Sequence, residues 1–136
     1  MFIDYQAVLS DAQVITNASA DSTYYIDTKA AGDAILPGAF VEFLVDTAFT
    51  TSDAGTLNLK LQTATSSDLS TGLVTLYQTG AIAAATLTAG KVYRAIIPEG
   101  CLRYLFATYT LANNMTAGKI DARIVLEGDK TLDKLL

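Results

Sequence analysis

The chain has 136 residues, 51% of them hydrophobic and only 17% charged, with a formal net charge of −5 and no histidine. That length makes one domain with a real core, and the acidic balance excludes the basic footprint that nucleic-acid binding requires. The mean hydropathy of +0.33 is high for a chain that stays alone in water. No run approaches the ~18 apolar residues of a membrane helix, so the apolar excess is expected in the core and in contacts with partners.

In chain order, residues 1–11 carry Phe2, Ile3, Tyr5, Val8 and Leu9 without a clear period, and Asp4 interrupts any secretion-signal pattern. They are expected to form an N-terminal arm. Short strands are predicted at 12–16 and 23–27. Leu36-Pro37-Gly38 has the Pro-Gly order of a type II turn, and Ile97-Pro98-Glu99-Gly100 the order of a type I turn. Between them the hydrophobic pattern repeats every two residues, the period of a strand with one dry face. Residues 40–46 place Val41, Phe43 and Val45 on one face. Residues 56–63 place Leu57, Leu59 and Leu61 inward and Asn58, Lys60 and Gln62 outward. Strands at 73–79 and 91–97 follow. Residues 102–110 are apolar on both faces, with Leu105, Ala107 and Tyr109 opposite Leu102, Tyr104 and Phe106, as in a central or covered strand. Residues 119–127 alternate again, Ile120, Ala122, Ile124 and Leu126 against Asp121, Arg123 and Glu127. Ala83-Ala84-Ala85 is too short for a helix, and the many threonines favour strands. About eight strands at this spacing predict an all-β, antiparallel, jelly-roll-like sandwich. It is expected over residues 12–127, with a C-terminal tail at 128–136 that ends in Leu132, Leu135 and Leu136 at one-turn helical spacing.

Catalytic chemistry finds few residues to work with. Without histidine there is no Ser-His-Asp arrangement and no common metal set. The single cysteine, Cys101, has no internal disulfide partner and is expected as a small buried hydrophobe. Asp46 with Asp53, and Asp121 with Glu127, are the carboxylate pairs available, but no run matches a calcium loop. The chain is therefore read as no enzyme, with no cofactor and no metal. Thr88-Ala89-Gly90-Lys91 recurs as Thr116-Ala117-Gly118-Lys119. Neither copy has the upstream glycine or the following Ser/Thr of a phosphate loop, so one glycine-dependent turn used twice is expected. Asn17-Ala18-Ser19 and Asn114-Met115-Thr116 fit the glycosylation pattern and are read as chance matches. Tyr24, Tyr25, Tyr104 and Tyr109 would build a sugar-stacking platform if exposed together. That makes a carbohydrate- or host-surface-binding module the alternative to a structural protein, although core or interface is the commoner place for tyrosine.

Several stretches resemble tailed-phage capsid cement (decoration) proteins of the Bordetella-phage type. They are Leu9-Ser10-Asp11-Ala12-Gln13-Val14-Ile15-Thr16, Val45-Asp46-Thr47-Ala48-Phe49-Thr50 with the 55–68 region, Thr79-Gly80-Ala81-Ile82 and Thr86-Leu87-Thr88-Ala89-Gly90, Arg103-Tyr104-Leu105, and residues 111–126. The order of these segments, from about residue 4 to 127, carries the resemblance. Residues 28–36 and the tail after Gly128 fit it less well. The resemblance implies a jelly-roll-like fold and a virion protein on the outer surface of an icosahedral head, made in the host bacterial cytoplasm. It also implies that the protein bridges major capsid protein subunits as an oligomer, for which a dimer is expected ahead of a trimer, without nucleic-acid or membrane partners. Candidate contacts with subunits or capsid are Phe2, Ile3 and Tyr5 in the arm, Tyr104, Leu105 and Tyr109 in the doubly apolar strand, and Leu132, Leu135 and Leu136 in the tail. The second dry face of residues 102–110 is expected under a neighbouring subunit.

Overall fold

The computed structural model describes residues 8–16, 19–27, 39–66, 68–98 and 101–125. These form nine strands: β1 Val8–Val14, β2 Ala20–Asp21, β3 Ile26–Asp27, β4 Phe40–Thr50, β5 Thr56–Ala64, β6 Val74–Ala83, β7 Val92–Ile96, β8 Tyr104–Ala112 and β9 Ala117–Val125. A 3-10 turn at Ala84–Thr86 takes the place of the alanine run. None of the described helical structure is long and apolar enough to cross a membrane.

One sheet has the order β1-β9-β4-β7 and the other β2-β8-β5-β6, with β3 pairing β8 as well. Every pairing is antiparallel. Taking β2 and β3 as two halves of one position, each sheet has four positions, and the chain crosses between sheets at each step except β5 to β6. That is a jelly roll, the predicted fold class. The split between β2 and β3 has a local cause in Ser22. Its N–H bonds Ala107 O at 2.7 Å, while its Oγ accepts from Ala107 N at 3.0 Å and donates to Tyr24 O at 2.8 Å. A side chain thus fills the gap in the ladder, so no backbone group of Ala107 is left unpaired.

The two-residue period produces the core. Val41, Phe43 and Val45 of β4 and Ile120 and Ala122 of β9 face Leu57, Leu59 and Leu61 of β5 and Leu105, Ala107 and Tyr109 of β8, all buried. The Phe43 and Tyr109 rings meet edge-on across the sheets, centroids 6.3 Å apart. Tyr109 also reaches Ser10 of β1, oxygen to oxygen 2.6 Å, and Ser10 donates to Gln13 Oε1 at 2.7 Å. Cys101 is buried in the same core.

Several expectations change. The first strand begins at Val8, so residues 8–11 belong to the sheet and not to an arm. β4 runs on to Thr50, past the predicted stop at residue 46, by taking two register shifts against β9. The repeated Thr-Ala-Gly-Lys segments are not one turn used twice. Gly90 sits at φ +88 in the turn before β7, with open space where a Cβ would go. Gly118 lies inside β9 at φ +150, and a Cβ there would run into the Phe49 ring. The first glycine is required by turn geometry, the second by a ring packed on bare backbone. The outer face of β8 is not open for a subunit to cover. Phe106 is 1% and Tyr104 8% exposed within the chain itself. The predicted turn at 36–38, the end of the turn at 97–100, and the pattern beyond residue 125 lie outside the described residues.

Candidate functional site

The contact residues predicted in β8 do not form a surface. Leu105 and Tyr109 are fully buried between the sheets. Tyr104 points outward, but the Tyr25 ring meets it edge-on at 5.3 Å, the Arg103 guanidinium lies 5.1 Å from its centroid, and it is buried. Phe2, Ile3, Tyr5, Leu132, Leu135 and Leu136 lie outside the described residues. The four tyrosines do not gather into a platform either: Tyr24 and Tyr25 are exposed neighbours in the chain, while Tyr104 and Tyr109 are buried. Among the described residues no group of three His, Cys, Asp or Glu is placed to hold a metal ion. Asp121, one of the candidate carboxylates, accepts from the backbone N–H of Ala12 at 2.5 Å and so holds the bulge in β1, where Ala12 has φ +49.

Among the described residues, exposed aliphatic and charged side chains share the outer face of the β1-β9-β4-β7 sheet, at its β7 end. Alternation on β4 turns Phe40, Glu42 and Leu44 outward once Val41, Phe43 and Val45 turn inward. The register then fixes three cross-strand rows. Ile96 of β7, Phe40 and Val125 of β9 make the first; Arg94, Glu42 and Arg123 the second; Val92, Leu44 and Asp121 the third. Ile96 is 63% and Val92 45% exposed.

The middle row is an ion triad. Glu42 is only 2% exposed, because a guanidinium covers it from each side. Arg94 Nε donates to Glu42 Oε2 at 2.9 Å and Arg94 Nη2 bonds the same oxygen, while Arg123 Nη2 bonds Oε1. The carboxylate is thus shared, and Arg123 Nε is buried with no hydrogen-bond partner among the described residues. Two guanidiniums against one carboxylate leave the triad itself with one net positive charge, which Asp121 of the third row balances on the β9 side, away from Arg94 at the β7 edge. The remaining N–H groups of the arginines are a ready site for carboxylate oxygens. On the inner side of β7 the Tyr93 hydroxyl is buried without a partner among the described residues, and burial raises its pKa above the ordinary value.

Periodicity places Arg123 on an outward face but does not single out Glu42 and Arg94. The available signal was a glutamate at the centre of an apolar strand, a position that calls for a buried cationic partner. Which arginines supply it depends on register, and β4, β7 and β9 are far apart in the chain.

No curated protein matches the chain. The Bbp16 family model matches residues 9–124, from the first inward leucine of β1 almost to the end of β9, and its name suggests a protein of a Bordetella phage. A match over that span covers both sheets and all three rows of the outer face except Val125, and the chain belongs to the Bbp16 family.

Proposed function

We propose that the protein is a structural virion protein, a cement on the outside of an icosahedral phage head that stabilises contacts between major capsid protein subunits. Membership of the Bbp16 family is the observation that carries this reading. The physical character of the molecule supports it. The described chain is a jelly roll whose exposed large aliphatics lie on or beside edge strands: Val14 on β1, Val92 and Ile96 on β7, Leu73 and Val74 at β6. Such a body acts by occupying a joint. Burying apolar surface between shell subunits means that rupture must first break those contacts, and many copies around one shell add their effects. The acidic balance discourages binding to DNA. An oligomeric state, with a dimer ahead of a trimer, belongs to the same proposal.

The test uses purified protein and expanded heads that lack it. Co-sedimentation should saturate at a fixed ratio of this chain to major capsid protein. Binding that is absent, or that rises without saturation, sinks the reading.

A further inference from the structure

The four sheet edges are not equivalent. β2 and β3 are two-residue fragments. β1 pairs β9 through two register shifts, and Leu9 O accepts from Tyr24 N at 2.9 Å, so its edge is strapped to the opposite sheet. β6 pairs β5 through two register shifts as well. Shortness, bulges and straps are the usual protections of an edge. Only β7 lacks them among the described residues: it pairs β4 from Val92 to Ile96 without a shift. Val45 N bonds Lys91 O at 2.9 Å and Ile97 N bonds Ala39 O at 3.0 Å, so the odd residues spend their backbone groups on β4. By alternation, the N–H and C=O of Val92, Arg94 and Ile96 point to the open side. The same three residues turn their side chains to the outer face, as aliphatic, cation, aliphatic.

We infer that the β7 edge takes up an extended segment of another protein as an added strand, with apolar residues at two alternate positions and an Asp or Glu between them. The main-chain bonds supply affinity and the alternate side chains supply specificity. The segment's apolar residues would lie beside Ile96 and Val92, roughly 13 Å apart along the strand. Its carboxylate would meet Arg94, beside the net positive charge of the triad. Charge decides against a second copy of this chain, because full overlap of two β7 strands brings the two Arg94 side chains face to face. The inference rests on the cement reading for its source, which is a segment of the shell protein.

Three variants and two probes test it. V92D/I96D alters two exposed side chains, R94E reverses the charge, and V74D changes the β6 edge as control; circular dichroism checks that each folds. On heads lacking the protein, V92D/I96D is expected to weaken binding at least tenfold and V74D less than twofold. Equal binding by V92D/I96D and wild type overturns the inference while leaving the cement reading intact. Independently of heads, 15N-labelled protein is titrated with the peptides acetyl-TVTETVT-amide and acetyl-TVTKTVT-amide. The glutamate peptide should protect the amides of Val92, Arg94 and Ile96 from exchange and the lysine peptide should not, with R94E inverting the preference. Absence of protection by either peptide overturns the added-strand proposal even if heads are never bound. Heads that fail to bind while the peptide arm succeeds overturn only the cement reading. Should sedimentation show that V92D/I96D dissociates a wild-type dimer, the edge serves self-pairing and the acidic-segment proposal falls.

Discussion

Tyr109 ties the two sheets twice, by its ring against Phe43 and by its hydroxyl on Ser10. Burial pushes its pKa well above the ordinary value, the hydrogen bond with Ser10 works against this, and the nearby Asp121 carboxylate adds to the rise. The neutral phenol is therefore the form the fold holds. In the unfolded chain tyrosine ionises near pH ~10. Above that value the unfolded state binds fewer protons than the folded one, so stability is complete below it and is lost as pH rises further. The melting temperature should fall with rising pH beyond that point, and Y109F should flatten the fall, leaving the smaller part due to Tyr93. In neutral buffer Y109F should cost only about 1 kcal/mol, the worth of one hydrogen bond. Gly118 is less forgiving. G118A drives a methyl into the Phe49 ring, and its urea midpoint should report a loss of about 3 kcal/mol, the upper end of overpacking. L105D places a charge at a fully buried position and should leave no cooperative unfolding transition by circular dichroism.

At the scale of elements, β4 holds the sheet together, since it pairs β9 on one side and β7 on the other. Its Glu42 is the pin. E42A leaves two guanidiniums facing each other across the strand, but both are partly solvated. The expected loss is therefore about 2 kcal/mol, below the range for a fully buried pair. Chemical denaturation of E42A against wild type measures it. The strand itself was legible from Val41, Phe43 and Val45, because a period of two needs only local sequence. The same holds for the three leucines of β5. What local sequence does not contain is register, and register is what joined Glu42 to Arg94 and Arg123. It also hid the fate of residues 102–110. Two apolar faces suggested a partner on one of them, but Phe106 and Tyr104 are buried by the chain's own fold. Gly118 shows the same limit, because its four-residue context repeats at Gly90 and only the distant Phe49 separates their roles.

At the scale of the whole molecule, the jelly roll protects three of its edges and leaves β7 straight, with aliphatic side chains around a small positive charge on an acidic body. If it cements a phage head, its effect must appear in the strength of the shell and not in any chemical turnover. The most direct measurement is the temperature at which expanded heads release their contents, with and without a saturating amount of the purified protein. Cementing predicts a disruption temperature that climbs with occupancy and levels off when the sites are full. Heads that carry the bound protein and yet break at the temperature of bare heads would contradict it.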